Sequence, residues 1–179
     1  MSCRIINDRF EIEKMVEDVF LGEEAPTYVD YADVQTMRRL STFKVAVSYG
    51  LAVTYDNYLE HLLEVIDDVL TDKKPCFCFL AFEVNSAVES NTYVKEIFDS
   101  IVDRISTSGA TEVQLDILYS IKTLSNMDKD ITVNVMFAVP KSDEDKMEDE
   151  RVKRLLKEYC LEKRPPFSVN LDEWATIIE

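Results

Sequence analysis

The sequence predicts an α/β fold. A mixed four-stranded sheet in βαβαββ order carries packed helices as a two-layer sandwich, followed by a C-terminal helical extension. Three observations predict it. Four segments have strand character, helical-period stretches separate the first three, and only a short polar connection joins the last two. The composition agrees: 179 residues, 46% of them hydrophobic, fit one domain, or one domain plus an extension, with a sizeable core.

The elements follow in order. Asn7 or Asp8 caps an opening helix over residues 7–20, with Ile12, Met15, Val16, Val19 and Phe20 on one stripe. Gly22 to Thr27, with Pro26, is a break, and Asp30 caps a short helix in DYADVQTMRRL. Phe43, Val45, Val47 and Tyr49 alternate as the first strand, with Gly50 near its end. Asp56 or Asn57 then starts a helix carrying Leu59, Leu62, Leu63, Ile66, Val69 and Leu70. Pro75 opens CFCFLAFEV, whose two apolar faces mark a central strand covered on both sides. Asn91 caps the next helix, with Val94, Ile97, Phe98, Ile101, Val102 and Ile105 on one face, and Gly109 stops it. Val113 to Ile121 and Ile131 to Val139 alternate as the closing strands, and KTLSNMDKD between them predicts an antiparallel pair.

Residues 1–140 form the α/β body on this reading, and residues 141–179 a charged helix and tail that pack on it. Eight acids and eight bases lie between residues 141 and 164, beside a narrow stripe of Val152, Leu155, Leu156, Tyr159 and Cys160. Pro165 and Pro166 end that helix, and FSVNLDEWATIIE turns apolar again, with Trp174 as the anchor.

Composition excludes several chemistries. With 35 acids against 20 bases and a net charge of −15, no basic face is available for nucleic acid. The longest apolar run, Pro75 to Phe82, is far short of the roughly 20 residues of a membrane span, and MSCRIINDRF has no signal-peptide core, so a cytoplasmic protein is expected. Four cysteines without a C-x-x-C pair, and His61 as the single histidine, leave no zinc or di-histidine site and no triad independent of His61. His61 reads as an ordinary surface histidine, and Cys76 and Cys78 as buried thiols. Three glycines cannot build a phosphate-cradling loop. No cofactor, no metal and no autonomous catalysis are expected.

The run Tyr28-Val-Asp30-Tyr31-Ala32-Asp33-Val34-Gln35-Thr36-Met37 resembles the loop and helix that open the C-terminal domain of the FtsZ/tubulin family, where the pattern is close to N-x-D-F-A-D-V-(R/K)-T. The element order over about residues 27–140 is similar too, while the family's nucleotide-binding domain has no counterpart here. The resemblance implies a non-catalytic domain that mediates or regulates assembly of a cytoskeletal or cell-division filament. It would bind an FtsZ/tubulin-like protein or itself through Tyr28, Asp30, Asp33, Glu23 and Glu24. It also implies an alternative, in which the chain is the separated C-terminal part of a tubulin-like GTPase and Asp30 and Asp33 supply carboxylates in trans to a nucleotide held elsewhere. A second alternative is an unrelated small-ligand-binding α/β domain. Read from local chemistry alone, Asp30 is a helix cap and Asp33 a solvated first-turn acid. Six acids and no base lie between Met15 and Met37, which makes this edge either a solubilising face or a docking one.

Overall fold

The computed structural model describes residues 2–21, 29–54, 57–71, 74–87, 90–107 and 115–163. Its elements are β1 (Ser2–Ile6), α1 (Arg9–Phe20), α2 (Tyr31–Leu40), β2 (Ser41–Leu51), α3 (Tyr58–Leu70), β3 (Phe77–Asn85), α4 (Ser90–Thr107), β4 (Asp116–Leu124), β5 (Ile131–Pro140) and α5 (Asp143–Lys163). The expected Gly22–Thr27 break, the residues Glu23, Glu24 and Tyr28, the stop at Gly109 and the tail with Pro165, Pro166 and Trp174 lie outside the described residues.

The sheet is mixed, as expected, but has five strands in the order β1-β2-β5-β3-β4. The added strand, β1, comes from the N-terminal segment and pairs antiparallel with β2. Only Ile6 of its five residues is buried, so the segment shows no apolar pattern by which to recognise it. The short connection from β4 to β5 does not make a hairpin. β5 passes over β3 and pairs antiparallel with both β2 and β3, while β4 pairs in parallel with β3. Burial explains the exchange. Both faces of β5 carry apolar residues, Val133, Val135 and Phe137 on one and Met136 and Ala138 on the other, all fully buried. Such a strand belongs inside a sheet. Asn126, with φ 61°, takes the left-handed turn that starts the crossing.

Helices cover both faces, so the sandwich has three layers rather than two. α3 and α4 pack on one face through Leu62, Ile66, Leu70, Val94, Ile97, Ile101 and Ile105, against Val47, Tyr49, Leu80, Phe82, Val135 and Phe137. α1 and α2 pack on the other through Ile12, Val16, Val34 and Met37, against Ile6, Phe43, Ala46, Phe79, Met136 and Ala138. β3, with apolar side chains on both faces, lies between β5 and β4.

Local chemistry sets the helix ends. Asp8 caps α1 by accepting from the Glu11 amide at 2.9 Å, and Asp30 caps α2 by accepting from the Ala32 amide at 2.9 Å. α5 opens on a capping box: the Ser142 amide donates to Asp145 at 2.9 Å, and the Asp145 amide donates back to the Ser142 hydroxyl at 3.2 Å. The sequence spacing pairs Asp149 with Lys153, but in the structure Asp149 binds Arg9 of α1 and Lys141, fastening α5 to the body. A bulge at Lys44 in β2 adds a second fastening, from the Lys44 ammonium to Asp145.

Candidate binding face

The sheet face under α1 and α2 changes character halfway along its strands. Successive side chains of a strand alternate between faces, so residues two apart share one. On this face β1 reads Ile6, Arg4, Ser2; β2 reads Ala46, Ser48, Gly50; β5 reads Met136, Asn134, Thr132; β3 reads Phe79, Ala81, Glu83; β4 reads Leu118, Ser120, Lys122. Strand register lines these up as rows. One row is Ile6, Ala46, Met136, Phe79 and Leu118, all apolar. The next is Arg4, Ser48, Asn134, Ala81 and Ser120, and the one beyond is Ser2, Gly50, Thr132, Glu83 and Lys122. Four of the five strands leave the apolar pattern at the same level, and β3, which still carries buried Ala81 there, follows one row later at Glu83. Five strands at about 4.8 Å spacing give this polar half a width of roughly 19 Å.

α1 and α2 cover the apolar half. Where α1 ends, Met15, Asp18 and Val19 form one wall of a cleft of about 170 Å³ whose floor includes Ser48, Glu83, Ser120, Lys122 and Asn134, with Arg4 at the β1 edge. Partial burial pushes the Glu83 carboxyl above its ordinary value; Lys122 beside it opposes the shift and Asp18 adds to it. The face offers hydroxyls, an amide and both signs of charge, which is a hydrogen-bonding surface. His61 is exposed on α3, across the sheet, where its Nδ1 lies 3.4 Å from Glu64. No group of three His, Cys, Asp or Glu residues able to hold a metal occurs among the described residues.

The acidic loop residues are placed differently. Asp30 and Asp33 are exposed at the entrance of α2, away from the cleft lining. Glu23, Glu24 and Tyr28 fall outside the described residues, so no cluster of the five is seen. The neighbouring residues of that run are structural. Val34 and Met37 are core, and Tyr31 packs edge-on against Phe20 with ring centroids 5.1 Å apart. The Tyr31 hydroxyl donates to Glu17 at 3.0 Å, and burial, reinforced by Glu17, pushes its pKa up to about 12.

The sequence reading missed the burial of two carboxylates, one of which, Glu17, it counted only among the six acids between Met15 and Met37. Glu13 and Glu17 of α1 are each 3% exposed. Arg38 of α2 lies between them, its Nε 2.8 Å from Glu13 and its Nη1 2.7 Å from Glu17. Burial alone would lower the guanidinium pKa, but the two carboxylates raise it, so Arg38 stays charged. The available signal was their position beside Ile12 and Val16 on the buried stripe, one turn apart, with a base in the next helix.

No protein-family model and no curated protein matches the chain. Among solved structures it is similar to HypE of E. coli, a hydrogenase maturation protein, at 12% identity and TM-score 0.37, covering 73% of this chain and 45% of that one. It is also similar to the thiamine-monophosphate kinase of Stenotrophomonas maltophilia K279a, at 11% identity and TM-score 0.35, covering 78% and 44%. The chain therefore spans less than half the length of either protein. Nothing in these comparisons points to FtsZ or tubulin, which overturns the family resemblance and with it the filament-assembly role, the cell-division and cytoskeletal setting and the filament partner. Neither the trans-acting GTPase part nor the small-ligand domain gains support. The physical reason is local: Asp30 as cap, Asp33 as first-turn acid and Val34 as first core residue are the grammar of any amphipathic helix entry, so a ten-residue match does not specify a family.

No helix among the described residues is long and apolar enough to cross a membrane.

Proposed function

We propose that the chain is a non-enzymatic module that binds a protein partner on the polar half of the sheet face beside α1. The observation that carries this is the switch of four of the five strands from apolar to polar residues at one level, with β3 following one row later at Glu83, forming a broad, half-open hydrogen-bonding surface. The size of the cleft favours a protein over a small molecule. At about 170 Å³ it is below the roughly 300–1,000 Å³ of small-molecule pockets, and suits one or two side chains of a partner. The rows around it supply the polar rim that such contacts use. Four free cysteines suit a reducing compartment, and the cytoplasm is proposed on that ground. Tyr28, Asp30, Asp33, Glu23 and Glu24 are not required by this reading.

The experiment compares affinity capture from the source cell with wild type, Lys122→Glu, Asn134→Arg and a charge-matched Lys153→Glu control on the exposed side of α5. A protein retained by wild type and the control, and lost by both sheet-face variants, supports the module. Equal retention by all four removes it.

A further inference from the structure

The two edges of the sheet are not alike. β1 closes one side with five residues, four of them exposed. β4 closes the other with nine, and no proline, glycine or bulge interrupts it. Edge strands of soluble proteins are commonly kept short, kinked or charged, because an open backbone pairs with any strand that reaches it. Between Asp116 and Lys122, β4 uses none of these devices.

Hydrogen bonding fixes which side of β4 each residue addresses. The Asp116 amide donates to the Cys76 carbonyl at 3.2 Å, and the Leu124 carbonyl accepts from the Ser86 amide at 2.8 Å. Register with β3 is continuous between these ends, so even-numbered residues turn their backbone groups toward β3. Odd-numbered residues, Ile117 and Ile121 among them, turn theirs outward, to the side where no further strand lies among the described residues.

The sequence of this edge is complementary to itself when reversed. In an antiparallel pair of two β4 strands centred on Tyr119, Ile117 faces Ile121, Leu118 faces Ser120 and Asp116 faces Lys122. Each of these contacts occurs twice, as a twofold axis requires. Facing residues have the same parity, so outward backbone groups meet outward ones and facing side chains share a face. Centring on Ser120 instead sets Lys122 against Leu118, and centring on Leu118 sets Asp116 against Ser120. Of these three centres, only Tyr119 pairs the charges. Lys122 then lies between Glu83 of its own β3 and Asp116 of the second copy, one ammonium with donors for both. β4 is itself neutral, one acid against one base, in a chain of net charge −15, so two copies meet here without local repulsion. The helix above continues the apolar surface. Phe98 of α4 packs on Tyr119 with ring centroids 4.8 Å apart, and Val102 follows one turn along the same flank, both half-buried.

We infer that the β4 edge is the pairing surface of a symmetric dimer, in which β4 of a second copy lies antiparallel across Tyr119 and the two sheets become one. The inference stands apart from the partner-binding reading, which concerns the face of the sheet and not its edge.

The test is the mass of the intact chain by sedimentation velocity, from micromolar to near-millimolar concentration. Wild type is expected to reach twice the 20.7 kDa of one chain. Asp116→Lys, outside the cleft lining, sets like charges together at both ends and is expected to raise the dissociation constant by about tenfold or more. Lys122→Glu is expected to do the same, and Asp116→Lys combined with Lys122→Glu to return it to within about threefold of wild type. Thr123→Pro removes an outward N–H without touching the ladder to β3, and is expected to weaken association without any change of charge. Lys153→Glu on α5 is expected to leave the mass unchanged. Asp116 and Thr123 are exposed, so their variants are expected to keep the fold, which far-ultraviolet circular dichroism checks. A wild type that stays at the mass of one chain at the highest concentration overturns the inference. A dimer that Asp116→Lys and Thr123→Pro leave intact, or that the charge exchange fails to restore, overturns it as well. Species larger than two do the same, since an isologous edge closes at two.

Discussion

The two faces of the sheet are built from the same strands and end differently. Under α3 and α4, four strands supply apolar side chains along their whole length, from Val45 to Leu51, Cys78 to Val84 and Ile131 to Phe137, completed by Ile117, Tyr119 and Ile121. Under α1 and α2, the apolar pattern stops after the row of Ile6, Ala46, Met136, Phe79 and Leu118 on every strand but β3, where Ala81 extends it by one row. One closed face suffices to hold the sheet, which leaves half of the other free to carry polar chemistry at little cost to the core. The face that is less complete is the one available for function.

The largest expected effect tests that division directly. Phe137→Ala empties a fully buried site on the closed face and is expected to cost about 3–5 kcal/mol in urea unfolding. Asn134→Ala, on the neighbouring row of the open half, is expected to stay within about 0.5 kcal/mol. Comparable losses would mean that the polar half is core in disguise, and the comparison would break.

That difference was only partly readable beforehand. The alternation of β2, β4 and β5, the continuous apolar run of β3 and the helical stripes of α3 and α4 were legible because each follows a simple pattern over many residues. β1 was not, because one buried residue in five makes no period. The central position of β5 was missed because connection length was weighed above its two apolar faces. The polar rows were illegible for a deeper reason. Ser48, Asn134, Glu83 and Lys122 each look like an ordinary outward residue of a half-buried strand, and only register across five strands joins them. Glu13 and Glu17 were hidden by the opposite error: acids on a helix read as solvated until Arg38 is placed between them. The acidic loop, by contrast, was read correctly as capping chemistry and over-read as a family signature.

A middle-sized effect concerns how α5 is held beside the open half. Lys44 and the Ser142 cap hold the Asp145 carboxylate down to a pKa of about 2, against the opposing pull of burial. A carboxylate depressed in the folded state adds stability that is complete above its ordinary range near pH 4, and loses it as the pH falls toward 2. Asp145→Asn is expected to cost about 1–2 kcal/mol at pH 7, allowing for the partly solvated Lys44. The gap between variant and wild type should close between about pH 4 and 2 in acid titrations followed by circular dichroism. A gap that persists unchanged at pH 2 would show that the capping geometry, rather than the charge, fastens α5.

The smallest effect lies inside the cleft and carries the opposite sign. Burial raises the pKa of Glu83, so its ionised form is less welcome in the folded protein than in the unfolded chain. At acid pH both states hold the proton, and Glu83→Gln is then expected to be neutral. As the pH passes through the ordinary carboxylate range toward the raised folded value, wild type loses stability that the Gln variant keeps. At neutral pH the variant is therefore expected to be slightly more stable, by less than about 0.5 kcal/mol. The sign matters more than the size. A residue kept for the fold would destabilise when replaced, as Phe137 is expected to, whereas one kept against the interests of the fold has another role. If Glu83→Gln instead destabilises at neutral pH and not at acid pH, the Lys122 contact outweighs burial, and the open half is fastened by its own charges rather than held in reserve for a partner.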